Sequence, residues 1–536
     1  MIDTKALRQK ILDLAIRGKL VPQDPDDEPA SVLLERIRQQ KQQMVKEGKL
    51  KPKDIKNDSV IFVGEDNLHY EKFADGSVKC IEDEIPFDIP GSWAWVRISS
   101  ICVINPKNDL NDDTEVSFIP MPHICEGYEN RHSFDIRKWS EIKTGYTHFA
   151  ENDIGIAKIT PCFENRKSVV FHNLKNGAGA GTTELFILRP IISVEPDYLL
   201  WIAKTDDFIN GGVETFSAAV GQQRVDRDFI VNYLIPLPPV NEQKSIINKI
   251  NVAFSVINTV DQNKADLANT IFYAKSKILD LAIRGQLVPQ NPDDEPASVL
   301  LERIRAEKEE LIKQGKIKRG KKESFIFRGE DNSYYEKVGS DVICIDAEIP
   351  FEIPDTWEWM RLESCCIKEI RRGKSPTYID ESGTLVFAQK CNTRYSGIDV
   401  GLALFLDESI LGRYPNDEYM QDGDVVINST GTGTLGRVGI YHTTDNHRGL
   451  PIVPDSHVTV IRAAHSIQSI YVYAFMKANQ SKLEKEGEGS TNQKELKPLT
   501  LKEMLIPMPP YSEQERIAAA ITAAFSTISA IEKSLN

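Results

Sequence analysis

The stretch that decides the fold is KILDLAIRGKLVPQDPDDEPASVLLERIR, from Lys10 to Arg38, because it returns from Lys277 to Arg305 as KILDLAIRGQLVPQNPDDEPASVLLERIR. The copies lie 267 residues apart and share 27 of 29 positions. A second pair, IPLPPVNEQ at 235–243 and IPMPPYSEQ at 506–514, repeats at an offset of 271 residues. Between these repeats the two halves mostly differ. The pattern predicts a duplicated frame with two diverged inserts, suited to reading two different things at a fixed distance.

The repeat is cyclic. By the 271-residue offset Asn536 corresponds to residue 265, and by the 267-residue offset Met1 corresponds to residue 268. The chain therefore ends almost where its beginning would continue, inside one element of the frame. This predicts a pseudo-two-fold cyclic repeat in which one copy of that element is cut.

The interrupted element reads as a long helix. Apolar residues recur at alternating steps of four and three from Ile246 to Leu281, which is the a/d pattern of a helix packed along another helix. A helix from about 242 to 284 would be roughly 65 Å long. The second copy of this helix pattern is divided between the two ends of the chain, with one part from Ile517 to Ile531 and the other from Leu7 to Leu14. We expect two long antiparallel helices that act as a spacer; the alternative is a coiled coil that dimerises the chain.

The inserts predict an α+β fold with two mixed α/β domains. Each insert opens with the same signal, EIPFDIP before Trp93 and Trp95 and EIPFEIP before Trp357 and Trp359, and we interpret these tryptophans as core anchors. The predicted segments are an N-terminal conserved helical segment, a first domain, a central helical spacer, a second domain and a C-terminal helix, at 1–55, 84–240, 241–325, 348–510 and 511–536.

Composition excludes several classes of protein. The formal net charge of -14 argues against a general binder of polyanions, so DNA recognition would need local basic loops and partner subunits. There is no run of 18 apolar residues, and the first residues lack the apolar core of a secretory signal, so we expect a cytoplasmic protein. The eight cysteines form no CxxC or Cys/His spacing that would suit zinc, and we expect no metal site.

Motifs of catalysis are missing from the sequence. Gly431 to Gly436 matches GxGxxG, but a β-rich stretch follows where a dinucleotide site needs a helix, so we interpret it as a loop between strands. There is no GxxxxGK[ST] and no HExxH. We therefore predict that the chain has no catalytic residues and binds no cofactor itself.

The LAIRGxLVPQ segment, the EIPFxIP-xxWxW openings and the IPxPPxxEQ closings resemble the DNA specificity subunit of type I restriction-modification systems. The resemblance covers nearly the whole chain. It implies two target recognition domains, each reading half of a bipartite gapped site in double-stranded DNA, with the helical spacer setting the gap. It also implies two methyltransferase subunits as partners, which carry S-adenosylmethionine, and restriction subunits that use ATP and Mg.

The resemblance and the chemistry of base recognition together select candidate DNA-binding residues. Arginine recognises guanine through two hydrogen bonds, and glutamine or asparagine recognises adenine in the same way. By the 271-residue offset Gln222 falls on Gln493, which makes this pair the leading candidate. The candidates in the first insert are Arg166, Lys167, Thr182, Thr183, Gln222, Gln223 and Arg224. In the second insert they are Arg371, Arg372, Lys374, Thr430, Thr432, Thr434, Arg437, Asn492, Gln493 and Lys494.

Two other classes of function stay open at this point. A stand-alone sequence-specific DNA-binding protein would bind tightly without partners, although the acidic pI of about 5.3 argues against it. An enzyme with catalysis hidden in the inserts would act alone. A protein scaffold without a DNA role would be a third class, but it would leave the diverged, paired inserts unexplained.

Overall fold

The repeated LAIRG segment ends a helix in both copies of the frame. Gly18 and Gly285, which follow these helices, have φ values of +66° and +69°, a conformation that glycine adopts without strain. Each glycine also lies against the opening of an insert: a Cβ at Gly18 would be 2.4 Å from Cγ of Pro90, and a Cβ at Gly285 would be 2.5 Å from Cγ of Pro354. The repeated helix end and the repeated IP-xxW opening are therefore two halves of one contact.

The structure is a computed structural model that describes residues 3–52, 55–56, 58–216, 223–317, 319, 324–394, 397–431, 433–487 and 494–535. The chain divides into two units, Met1–Asn263 and Lys264–Asn536. Both contain helices and sheets, which confirms the α+β prediction. Among the described helices, none combines the length and the apolar character needed to cross a lipid bilayer.

The first unit holds the elements from α1 to the start of α8. Its helices are α1 (Thr4–Ile16), α2 (Ala30–Lys46), α3 (Ile98–Ile101), α4 (Trp139–Ile142), α5 (Pro196–Ala203), α6 (Asp206–Glu214), α7 (Arg227–Asn232) and α8 (Val240–Ile283), which continues into the second unit. Its strands are β1 (Ser59–Val63), β2 (His69–Phe73), β3 (Val78–Cys80), β4 (Ala94–Arg97), β5 (Cys102–Ile104), β6 (Glu115–Ile119), β7 (Asp135–Lys138), β8 (Thr147–Ala150), β9 (Ile154–Ala157), β10 (Ser168–Val170), β11 (Ala178–Gly181), β12 (Leu185–Pro190) and β13 (Leu234–Leu237).

The second unit continues from the end of α8. Its further helices are α9 (Ala297–Lys313), α10 (Ser469–Ala478), α11 (Gln480–Lys485), α12 (Pro498–Lys502) and α13 (Tyr511–Leu535). Its strands are β14 (Ser324–Arg328), β15 (Tyr334–Val338), β16 (Asp341–Cys344), β17 (Glu358–Arg361), β18 (Arg371–Arg372), β19 (Tyr378–Ile379), β20 (Leu385–Phe387), β21 (Leu404–Leu406), β22 (Asp424–Asn428), β23 (Val438–Tyr441), β24 (Ile452–Pro454), β25 (Val458–Ile461) and β26 (Leu505–Met508).

The two inserts share the strand order of one sheet although their sequences differ. The sheet β10-β9-β12-β5 of the first unit corresponds to β23-β22-β25-β18 of the second, whereas the order of the other sheet differs, β7-β6-β11-β8 in the first unit and β19-β21-β20-β24 in the second. Each second sheet contains one parallel pair, β11 with β6 and β20 with β24. The interpretation of Gly431 to Gly436 as a loop between strands is confirmed, because β22 and β23 flank it as an antiparallel pair.

The opening and closing motifs of each insert pair with one another. Strand β13, from the IPLPP motif, pairs with β4, which carries Trp95, and β26 pairs in the same way with β17, which carries Trp359. The four tryptophans of the openings are buried, which confirms their interpretation as core anchors: Trp93, Trp95, Trp357 and Trp359. In each domain, the repeated opening and closing motifs thus form one two-stranded antiparallel sheet, which joins the two ends of the insert.

A buried carboxylate joins the opening of each insert to the frame. In the first unit, Glu242 accepts hydrogen bonds from Nε1 of Trp93 at 2.8 Å and from Nε2 of Gln23 at 2.6 Å. In the second unit, Glu513 accepts the equivalent bonds from Trp357 at 2.9 Å and Gln290 at 2.6 Å. Burial raises the pKa of both carboxyls, and the two donors oppose that rise. These bonds explain why LVPQ, the first tryptophan and EQ recur together.

The predicted antiparallel packing of the long helices is confirmed within each unit. In the first unit, Arg8 of α1 pairs with Asp261 of α8 at 2.9 Å, while Gln23, beyond the end of α1, reaches Glu242 near the start of α8, so the two helices are antiparallel. In the second unit, Lys275 of α8 pairs with Glu532 of α13 at 2.8 Å, and Arg516 pairs with Asp294 beyond the end of α8. Helix α8 has 44 residues, close to the predicted extent.

We expect Gly285→Ala to lower the free energy of unfolding by about 1–3 kcal/mol, because the added methyl group overpacks the contact with Pro354 and the positive φ adds strain. Chemical denaturation measures this loss. Gly48→Ala is the matched control: Gly48 has a φ of +72°, but a Cβ there would meet nothing within 4 Å. Equal losses in the two variants would show that the contact with Pro354 contributes nothing.

Candidate nucleic-acid interface

Three chain segments of the first insert meet where β9 ends and β12 begins. The N–H of Lys158 donates to the carbonyl of Glu184 at 3.0 Å, and the N–H of Val225 donates to the carbonyl of Lys158 at 2.8 Å. The N–H of Thr160 donates to the carbonyl of Gln223 at 3.0 Å. We call this site, formed by residues 158–160, 182–184 and 223–225, the first corner.

The second insert has the same arrangement. The N–H of Ser429 donates to the carbonyl of His457 at 2.8 Å, and the N–H of Leu496 donates to the carbonyl of Ser429 at 2.8 Å. We call residues 428–430, 457 and 494–496 the second corner. The bridge between Ile159 and Arg224 in the first corner and the bridge between Thr430 and Glu495 in the second are related by the 271-residue offset at both ends. The two corners are therefore equivalent places in the two domains.

Each corner lies at the end of its sheet opposite the contact with a frame helix, α2 in the first unit and α9 in the second. Strand β12 runs from the first corner to residues 192–193, which line a cavity together with Leu33, Arg36 and Gln39 of the frame helix α2. Strand β25 runs from the second corner toward His465, whose N–H and Nδ1 contact the carboxylate of Glu307 in the frame helix α9. Helices α2 and α9 therefore contact their sheets at the end opposite the corner.

The first corner brings together four of the predicted residues, Thr182, Thr183, Gln223 and Arg224. Arg224 donates from Nε and Nη2 to the two carboxylate oxygens of Glu184, at 3.0 and 2.8 Å. The hydrogen bond from Arg224 holds the pKa of the Glu184 carboxyl below its ordinary value, so the pair is ionised at neutral pH. Thr183 is exposed, whereas Thr182 and Gln223 are half-buried.

The second corner and its margin bring together five predicted residues: Arg372, Thr430, Thr434, Arg437 and Lys494. Thr430 exchanges a 2.7 Å hydrogen bond with Nδ1 of His457 and accepts a 3.1 Å bond at its carbonyl from Thr434. Arg372 lies 3.0 Å from the Glu495 carboxylate. Arg437 donates to the carbonyls of Asn392 and Gly433, and Lys494 is exposed.

Four predicted residues lie outside the corners or at their margin. Arg166 has a side chain only 11% exposed, pairs with Asp206 and donates to the carbonyl of Lys204. Lys167 lies beside β9, where its carbonyl accepts from Ala157. In the second unit Arg371 pairs with the buried Glu418, and Lys374 donates to the carbonyl of Arg413. A DNA contact by these four residues stays a prediction that their observed contacts do not favour, most clearly for Arg166.

The leading candidate pair falls outside the described residues. Gln222 and Gln493 lie there, as do Thr432 and Asn492. Conversely, the geometry adds three corner residues that the candidate set omitted: Glu184, His457 and Glu495. One signal in the sequence could have found Glu495, because the 271-residue offset places it on Arg224.

Comparison with known proteins agrees with this architecture. The family model described as "Type I restriction modification DNA specificity domain" matches residues 354–536. The specificity subunit of the type I restriction enzyme EcoEI from Escherichia coli is 35% identical over 519 residues, which cover 87% of this chain and 79% of that subunit. This chain belongs to the family of type I restriction-enzyme specificity subunits.

A second specificity subunit, that of EcoAI from Escherichia coli, is 41% identical over 404 residues, covering 67% of this chain. The chain spans 62% of the length of the EcoAI subunit, which is less than two thirds. A solved chain from work described as "Structural basis underlying complex assembly and conformational transition of the type I R-M system" has the same fold. Its TM-score is 0.57 at 17% identity, over 84% of this chain and 94% of that chain.

Proposed function

We propose that this specificity subunit reads a bipartite, gapped site in double-stranded DNA, with one half-site at each corner. One observation carries the proposal: the two domains each contain a sheet of the same strand order and present different side chains at equivalent places beside it, Arg224 in the first and Glu495 in the second. A common framework with different recognition groups is what reading two unlike half-sites requires.

The residues at the corners have the chemistry of major-groove readout. Arginine donates two hydrogen bonds to guanine, threonine contacts either base edges or the thymine methyl group, and glutamate accepts from cytosine. The helical spacer would set the distance between the half-sites, which we expect to be about one helical turn, roughly 10 base pairs from centre to centre.

We propose that the frame binds two identical partner subunits. Several residues of the repeat are exposed in both copies and identical, including Ser31 and Ser298, Glu35 and Glu302, and Arg36 and Arg303. The same surface presented twice suits two copies of one partner, which we propose are methyltransferase subunits that bind S-adenosylmethionine. Restriction subunits that use ATP and Mg would complete the assembly, and methylation and cleavage would belong to these partners.

A stand-alone DNA-binding protein is the alternative function. With a formal net charge of -14, the chain alone would gain little from neutralising phosphates, so we expect weak DNA binding without partners. Tight, sequence-specific binding by the purified chain alone would favour the alternative.

The test is a methylome. The chain is expressed with a cognate methyltransferase subunit in an unmethylated host, and modified bases are mapped by single-molecule sequencing, with each protein omitted in turn. We expect one asymmetric gapped motif that appears only when both proteins are present. A methyltransferase that is active in the complex but yields no such motif would refute the proposed function.

A further inference from the structure

Arg224 is held in a way that leaves one edge of its guanidinium available. Its Nε and one N–H of Nη2 are bound by the two oxygens of Glu184. A guanidinium has five N–H groups, so both hydrogens of Nη1 and one of Nη2 remain. Among the described residues no partner for Nη1 is found. The remaining edge is the pair of parallel donors that matches O6 and N7 of guanine.

We propose that Arg224, positioned by Glu184, reads a guanine in the first half-site, an inference that rests on the proposed function. The side chains of Arg224 and Glu184 are 48% and 24% exposed, so the pair is partly open to solvent. Exposed ion pairs of this kind stabilise a fold little, which leaves orientation of the guanidinium as the main effect of the contact. Glu184 is thus a positioning residue and Arg224 the residue that touches the base.

The second corner cannot read the same base in the same way. At the position equivalent to Arg224 it has Glu495, and the neighbouring guanidinium comes from Arg372 on another strand, β18. The sign of the charge on the equivalent strand position is therefore reversed. The base pair opposite this position must differ between the half-sites, or be contacted through a different atom.

Replacement of Arg224 separates base reading from attraction to phosphate. Lysine keeps the positive charge but presents a single point donor in place of two parallel ones. We expect Arg224→Lys to relax one G·C position of one half-site, with discrimination against the other bases falling roughly 10-fold or more, while the other half-site is unchanged. Glu184→Gln, which keeps one of the two acceptors, should relax the same position by a smaller factor.

Arg131→Lys is the matched control. Arg131 is an exposed arginine of the same domain, paired with the exposed Glu129 at 2.7 Å, and it lies outside the first corner. This variant should leave the motif unchanged. Arg372→Lys tests the second domain, and any change it causes should fall in the other half-site.

The experiment is the methylome of the full chain with its methyltransferase partner, read as relative methylation at each base of the motif. If the wild-type pair gives a bipartite motif and Arg224→Lys leaves every position unchanged, Arg224 does not read a base. A uniform fall at all sites would assign it to a phosphate and also overturn the inference. If Arg224→Lys and Arg372→Lys relaxed the same half-site, the assignment to separate half-sites would be wrong. Absence of any motif with the wild-type pair would instead refute the proposed function.

Discussion

Arg462→Met is expected to lower the free energy of unfolding by about 3–5 kcal/mol, because it leaves a buried carboxylate without its partner. Asp424 is 1% exposed, and its two oxygens accept from Nε and Nη2 of Arg462 at 2.8 and 2.7 Å. The first domain has the equivalent pair, Asp153 with Arg189, at 2.8 Å for both bonds. Chemical denaturation of the full chain measures the loss.

The two pairs differ in how far the arginine is withdrawn from water. The side chain of Arg462 is 10% exposed and that of Arg189 is 30% exposed. Water can therefore replace more of the lost interaction in the first domain, and we expect a smaller loss for Arg189→Met. Adding Asp424→Asn to Arg462→Met removes the buried charge and should restore part of the stability. A loss below about 1 kcal/mol for Arg462→Met would contradict the prediction.

The loss should also depend on pH. Burial raises the pKa of Asp424 in the folded protein, and the bonds from Arg462 oppose the rise, so Arg462→Met should raise this pKa further. A carboxyl with a raised folded pKa stabilises the fold below its unfolded pKa, near 3.9, and that contribution is lost as pH rises through the folded pKa. The difference between wild type and variant should therefore be larger at pH 7 than at pH 4.

The free energy of unfolding of the wild type is expected to rise with pH between pH 7 and pH 9 because of Lys204, and Lys204→Met should remove this rise. Burial lowers the pKa of Lys204 to about 7, with Arg166 adding to the effect, while Nζ donates to the carbonyls of Gly127 at 2.7 Å and Arg166 at 3.0 Å. Above pH 7 the folded protein releases this proton while the unfolded chain keeps it up to its ordinary pKa near 10.4.

A depressed folded pKa gives stability that is present at high pH and lost as pH falls through the folded pKa. With about 1.4 kcal/mol for each pH unit between the two pKa values, the stability of the wild type relative to Lys204→Met should rise by about 2–3 kcal/mol from pH 7 to pH 9. Denaturation at both pH values measures this difference. An unchanged difference would show that Lys204 titrates outside this range.

Two variants serve as comparisons for Lys204→Met. Lys477 is the counterpart in the second domain, where burial lowers its pKa to about 8, so the rise for Lys477→Met should be smaller, about 1–2 kcal/mol. Lys10→Met replaces an exposed lysine and should leave the pH dependence between pH 7 and pH 9 unchanged.

Most of the frame could be predicted from the sequence, because its contacts are repeated. The heptad seam places α8 against another helix, and its positions Ile246, Ile250 and Ile257 are buried. The recurrence of LVPQ, IP-xxW and EQ indicated that these segments act together. The bond from Trp93 to Glu242, across 149 residues of sequence, is the physical reason for that recurrence.

The candidate DNA-binding residues could be placed less well from the sequence. The threonines and arginines at the corners were selected for their donor chemistry, but Arg166 was grouped with them although it pairs with Asp206. The sequence alone does not distinguish an exposed arginine from one whose side chain is bound within the protein. Glu184 was left out of the candidate set because its role depends on Arg224, which lies 40 residues away in the sequence. The two residues meet because Lys158 is hydrogen-bonded to both segments, through Glu184 and Val225.

The sequence by itself determined the duplicated frame, the long helix, the α+β class and the family, because each depends on local periodicity or on motifs repeated at a fixed offset. Only the tertiary structure decided that the two diverged inserts share the strand order of one sheet and that their corners are equivalent. It also showed that Arg224 and Glu495 occupy the same position with opposite charge. Strand pairing joins residues that are far apart in the sequence, and a given backbone register is compatible with many different side chains. The identity of a corner residue therefore does not show which residues lie beside it.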